Sequence, residues 1–243
     1  MLKMMEEALV DDNEIFVYMG GDQEVPDRVR RARIHESVNK VLRGAFRFRR
    51  NLIYVEFHDG VEIVDEDAFY GCCCLKSIKL LGVRIIKGHA FCHCYNLVDV
   101  EFGDQLETVE QYAFKGCPLL KSIRMQSVKS VGISAFADCK VLSDVECGEG
   151  LRTLRGWAFT NCPELERIAL PLKDGMIESH VFFPCTDLIT IDVVGGIHQT
   201  VASLHMESWR NEMINEIKRI NQTLPTITQR KTENNTAVDK DSQ

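Results

Sequence analysis

The dipeptide Ala-Phe recurs through most of this chain at a spacing that a single irregular core would not impose. It places Phe46, Phe69, Phe91, Phe114, Phe136 and Phe159, and Val-Phe completes the series at Phe182, with intervals of 23, 22, 23, 22, 23 and 23 residues. Six residues after each landmark comes leucine (Leu52, Leu75, Leu97, Leu120, Leu142, Leu165, Leu188). Three further on stands a β-branched residue (Val55, Ile78, Val100, Ile123, Val145, Ile168, Ile191), and two beyond it a mostly apolar one. A unit of this length cannot bury its apolar face alone, so the units must stack, each covering its neighbours.

Alternation at the last two positions is the period of a β-strand. One short strand per coil follows. Five residues before each landmark lies another aliphatic residue (Val41, Val64, Ile86, Val109, Val131, Leu154, Ile177), which supplies the return side of the coil. A second period overlies the first, because landmarks two apart are separated by 45 residues from Phe46 to Phe91 to Phe136 and from Phe69 to Phe114 to Phe159, and coils resemble their second neighbours most. Asn51-Leu-Ile-Tyr-Val-Glu-Phe matches Asn96-Leu-Val-Asp-Val-Glu-Phe, and Leu75-Lys-Ser-Ile matches Leu120-Lys-Ser-Ile. Growth by duplication of a two-coil unit accounts for this.

The pattern A-F-x-x-C-x-x-L-x-x-[IV]-x-[LF] over residues 38–196 resembles the leucine-rich repeats of the BspA-like family. Arg49 replaces Cys in the first unit, Val181 replaces Ala in the seventh, and the turn around Pro171 to Gly175 is less regular. The resemblance implies a curved parallel solenoid used for protein interaction and no catalytic residues. The fold class expected is an α/β repeat solenoid of stacked parallel strands with a C-terminal capping helix.

Residues 1–37 are expected to form an N-terminal cap with a degenerate first coil, since counting back 23 from Phe46 puts Val29, Ala32 and Ile34 in the strand columns. After residues 38–196, apolar residues from Ile197 through Trp209 to Leu224 recur at helical spacing and end at Pro225, which predicts a capping helix over 197–225. A partner-binding or membrane-surface helix would show the same pattern. The polar tail 226–243 is expected to be disordered. No apolar run reaches the roughly 18 residues of a spanning helix, and the first residues lack a signal-peptide pattern. An intracellular, cytoplasmic protein is therefore expected.

Of the ten cysteines, Cys72, Cys94, Cys117, Cys139, Cys162 and Cys185 occupy one column, three after the landmark. A reduced structural ladder explains them better than disulfides, because stacked coils hold their Cβ vectors parallel. Cys73, Cys74, Cys92 and His93, with Cys72, His89 and Cys94 beside them, could converge on zinc, but no paired C-x-x-C motif supports a metal site. Neither cofactor nor metal is expected. Nucleophile elbows, phosphate-binding loops and H-E-x-x-H are absent from the sequence, and Asp99, Glu101, Asp144 and Glu146 read as a charged outer strand face. Two Asn-x-Thr matches at Asn221 and Asn234 read as coincidence.

The net charge of −7 argues against bulk nucleic-acid binding, yet residues 26–50 carry nine Lys or Arg against two acids. Arg28, Arg30, Arg31 and Arg33 form a basic run that could meet nucleic acid or another anionic partner, while seven acids among the first 25 residues offer internal neutralisation. The leading expectation is a non-catalytic scaffold that binds a protein through its concave strand face. Tyr54, Asp99, Arg124, Asp144 and Arg167 project from that face in this register and are the candidate contacts. The outward column one step on (Arg33, Glu56, Lys79, Glu101, Arg124, Glu146) alternates in sign, so each charge is expected to have opposite neighbours on both sides.

Overall fold

The computed structural model describes residues 14–195, apart from 172 and 174. Every described coil contributes one parallel strand to a long-strand face: β1 (Ile15–Tyr18), β2 (Arg31–Ile34), β4 (Tyr54–Glu56), β6 (Ser77–Leu80), β8 (Asp99–Phe102), β10 (Ser122–Met125), β12 (Asp144–Cys147), β14 (Arg167–Leu170) and β15 (Thr190–Val193). The return side is a six-stranded parallel sheet of two-residue strands: β3 (Lys40–Val41), β5 (Ile63–Val64), β7 (Ile85–Ile86), β9 (Thr108–Val109), β11 (Ser130–Val131) and β13 (Thr153–Leu154). This is a parallel-strand solenoid of about seven turns.

The α/β class needs correction, because among the described residues there is no helix. The reason lies in the turn around each landmark. Two residues before it the backbone is left-handed at Asp67, His89, Tyr112, Ser134, Trp157 and His180, with φ of 51–63°. Two residues after it the same holds at Phe48, His93, Asp138 and Asn161. No right-handed helix can pass through such a pair. The expected capping helix over 197–225 and the tail lie outside the described residues.

Between the two sheets runs a column of phenylalanine rings. Phe46, Phe69, Phe91, Phe114, Phe136, Phe159 and Phe182 stack in sequence with centroids 4.9–5.9 Å apart and planes within about 10° of parallel, and Tyr18 tilts against the first at 5.2 Å. The leucine and β-branched columns pack beside them, so that Leu52 through Leu165 and Val55 through Ile168 are buried. A third hydrogen-bond ladder binds the coils here. The amide of each landmark donates to the carbonyl before the next landmark, as in Phe91 to Ala113 and Phe114 to Ala135, both at 2.7 Å. The column cysteines bond in the reverse direction: their Sγ atoms donate to the landmark carbonyl of the preceding coil, from Cys72 to Phe46 (3.0 Å) through Cys185 to Phe159 (3.1 Å).

The two-coil period has a packing cause. The ring of Phe48 lies over Gly71 and that of His93 over Gly116, so close that a Cβ on either glycine would sit 2.7 Å from the ring. Large and absent side chains alternate over these four coils, after which Asp138 and Asn161 continue the column. The long-strand ladder is interrupted two coils apart, between β4 and β6 and between β8 and β10, and is continuous from β10 to β15. The strand-entry bonds there lengthen to 3.4 Å (Lys76 to Ile53) and 3.3 Å (Lys121 to Val98), against 2.8 Å for Val98 to Lys76.

Backbone crowding also sets a sharp test. A Cβ on Gly148 would meet the Gln126 carbonyl oxygen at 1.8 Å, whereas one on Gly150 meets nothing within 4 Å. Gly148→Ala is expected to cost about 1–3 kcal/mol and Gly150→Ala to change stability by less than about 0.5 kcal/mol. Urea unfolding of the two variants checks this, and equal midpoints would contradict the close approach.

Candidate functional site

The long-strand face presents two outward columns, because side chains alternate along each strand while the inward residues enter the core. The first column holds Arg31, Tyr54, Ser77, Asp99, Ser122, Asp144, Arg167 and Thr190; the second holds Arg33, Glu56, Lys79, Glu101, Arg124, Glu146, Ala169 and Asp192. Of the candidate contacts, Tyr54, Asp99 and Arg124 are exposed. The guanidinium of Arg31 lies 5.7 Å from the Tyr54 ring centroid.

Asp144 and Arg167 are engaged with one another. Arg167 is bonded to Asp144 (2.7 Å), Glu146 (3.3 Å) and Asp192 (2.7 Å), so one side chain gathers carboxylates from β12 and β15 on either side of its own strand. The hydrogen bonds it donates to the Asp144 and Asp192 carboxylates push its pKa up. Three carboxylates thus hold the side chain in place.

Charge alternation in the second column resolves into discrete pairs. Arg33 meets Glu56 at 2.7 Å, Lys79 meets Glu101 at 2.6 Å and Arg124 meets Glu146 at 3.4 Å. Among the described residues no ion pair joins Glu56 to Lys79 or Glu101 to Arg124. Those two steps coincide with the interruptions of strand pairing, so a charge there has an opposite partner on one side only.

Among the described residues, carboxylates beyond the first 25 residues pair with the basic end, while Glu6, Glu7, Asp11 and Asp12 of the expected set lie outside the described residues. Arg33, Lys40, Arg43 and Arg47 pair with Glu56, Asp65, Glu66 and Asp67 of the following coil, and Arg49 pairs with Asp27. Stacking brings the next coil's matching column within reach. Asp65 also receives Lys87 from the coil beyond. Partial burial would raise its pKa, but hydrogen bonds from Lys40, the Glu66 amide and Lys87 hold it at about 2. Arg28 and Arg30 are exposed, and Arg31 is half-buried.

The zinc reading finds no geometry among the described residues, where no three His, Cys, Asp or Glu side chains converge on one point. Cys92 is buried, with its thiol pKa pushed up to about 11, and Cys73 donates to the Gly71 carbonyl. Sequence reasoning missed the aromatic and histidine side chains on the left-handed turns, since nothing in their own residue types announces the backbone they occupy.

A model of the BspA-type leucine-rich repeat region matches residues 28–132 and 110–237 in six copies. The chain belongs to the BspA-type leucine-rich repeat family. A leucine-rich repeat protein from T. pallidum is 27% identical over 67% of this chain and 81% of its own length, with a TM-score of 0.54. A leucine-rich repeat protein from Eubacterium ventriosum shares the fold at 17% identity, covering 68% of this chain and 49% of its own, with a TM-score of 0.50. Comparison with curated proteins finds no match. Among the described residues no helix is long and apolar enough to cross a membrane.

Proposed function

We propose that this BspA-type repeat protein is a non-catalytic scaffold that receives a protein partner on its long-strand face. The observation that carries the reading is the Arg167 cluster on the same strand face as exposed Tyr54, Asp99 and Arg124: charged side chains held in place on a rigid array. Preformed side chains reduce the ordering cost of association. The paired state of Arg33, Lys40, Arg43, Arg47 and Arg49 favours this face over the basic end as the binding surface. The test is quantitative affinity capture by the full chain, followed by binding measured with the recombinant partner. The triple variant Tyr54→Ala, Asp99→Ala, Arg124→Ala is expected to weaken binding at least tenfold, and Leu119→Ala, off the face, to leave it unchanged. Equal affinity of the triple variant and the parent overturns the reading.

The same proposal places the protein in a reducing compartment. What supports thiols over disulfides is that the six column cysteines each donate to the landmark carbonyl of the preceding coil. Maleimide labelling under native conditions is expected to miss Cys94, Cys117, Cys139 and Cys162 until denaturant is added. Rapid native labelling, or disulfides among these four by intact mass, would contradict it.

A further inference from the structure

The landmark turns of the first four coils carry a run of rings outside the core. Phe48 meets Tyr70 edge to face at 5.3 Å, Tyr70 meets His93 in the same way at 5.5 Å, and His93 tilts against Tyr95 at 5.5 Å. From Tyr70 the run also passes to His89 at 6.4 Å, and His89 stacks on Tyr112 at 4.8 Å. Phe48 and Tyr95 are 45% and 48% exposed, and the other four rings are half-buried.

Three cations lie over these rings. The Arg47 guanidinium is 5.2 Å from the Phe48 centroid and 5.0 Å from that of Tyr70, Arg50 is 5.8 Å from Phe48, and the Lys115 ammonium is 5.5 Å from Tyr112. Arg47 is neutralised by Asp67 at 3.1 Å. Among the described residues, Arg50 and Lys115 meet no carboxylate. Their coils are three steps apart, each step 4.9–5.1 Å between landmark rings, which is roughly 15 Å along the array.

We infer that this edge is a docking site for a proline-rich segment of a partner polypeptide that carries two acidic residues five positions apart. The backbone here cannot take an added strand, because its amides already donate to the next coil: Phe48 to Tyr70 and Gly71 to Cys92 at 2.8 Å, and His93 to Lys115 at 2.9 Å. A polyproline II segment needs no such bond, since its backbone is solvated and its pyrrolidine rings pack on aromatic side chains. It rises about 3.1 Å per residue and repeats every three residues, about 9.3 Å, close to the two coil steps from Phe48 to His93. Prolines three apart therefore meet Phe48 and the His93 and Tyr95 pair, while acidic residues five apart, about 15 Å, meet Arg50 and Lys115. A nucleic-acid strand is disfavoured because it bears a charge at every nucleotide, and only two cations over these four coils lack a carboxylate.

The experiment follows backbone amide resonances of the full chain during titration with the end-blocked peptide Glu-Pro-Pro-Ala-Pro-Glu, with counterparts bearing Gln for Glu or Gly for Pro, and with oligodeoxythymidine. The peptide is expected to shift the amides of Tyr70, His93 and Tyr95 saturably, about tenfold more tightly than either counterpart. Arg50→Ala, Lys115→Ala and Tyr95→Ala are each expected to weaken it about fivefold, and Arg152→Ala, an exposed cation on the return side, to leave it unchanged. Overturning results are no saturable shift at these amides, equal affinity for the Gln or Gly counterpart, tighter binding of oligodeoxythymidine, or full affinity in Arg50→Ala and Lys115→Ala. Tenfold tighter peptide binding after neutralising Glu6, Glu7, Asp11 and Asp12 would assign the edge to the acidic segment of this chain and overturn the partner. The triple variant of the long-strand face is expected to bind the peptide as the parent does, so the two readings fail separately.

Discussion

Raising the pH from 8 to 10 is expected to remove roughly 12 kcal/mol of folding free energy, enough to unfold a domain of ordinary stability. The source is the buried thiols. Desolvation pushes the pKa values of Cys72 and Cys147 up to about 12 and those of Cys94, Cys117, Cys139 and Cys162 well above the usual range. In the unfolded chain the same groups ionise near pH 8.5. Above that pH the unfolded state binds fewer protons than the folded one, so stability is fully present below about pH 8 and falls as pH rises towards the folded values. Each thiol contributes about 2 kcal/mol of loss at pH 10, and six of them give the total. Urea unfolding between pH 7 and pH 10 measures the slope; Cys139→Ala should flatten it by one proton. A stability that stays level to pH 10 would show that the thiols are not held neutral.

Phe114→Ala is expected to cost about 3–5 kcal/mol, because it opens a cavity at the middle of the ring column. Phe114 is fully buried and stacks on Phe91 at 5.0 Å and Phe136 at 5.3 Å, so both neighbours lose a face. Phe182→Ala, at the last stack and only partly buried, should cost less. Thermal unfolding of the two variants separates them; equal losses would mean that the stack does not transmit stability along its length.

The core was legible in the sequence because every column repeats: Phe46 to Phe182, the leucines six on and the cysteines three on declare one environment seven or six times over. The left-handed turns were illegible for the opposite reason. Asp67, His89, Tyr112, Ser134, Trp157 and His180 share a backbone conformation imposed by the turn, and their side chains have nothing in common. Gly44, Gly71 and Gly116 in these two columns, all with positive φ, were the available signal. Missing it allowed an α/β class where the turns forbid a helix. Sign alternation from Arg33 to Glu146 was likewise readable, but its resolution into pairs depends on where the strand ladder opens. The candidate contacts lie on the outward columns of the long strands, while the internal commitment of Asp144 and Arg167 required the register between coils.

Ring over glycine in the column of Phe48, Gly71, His93 and Gly116 gives this solenoid a parity. Excising residues 71–92 would bring the coil of Phe48 against that of His93, ring onto ring, with no glycine to receive either. Excising 71–115 would set Phe48 over Gly116 and restore the match. Across these four coils, removing two is therefore expected to be tolerated better than removing one, which needs a compensating substitution at the ring or the glycine.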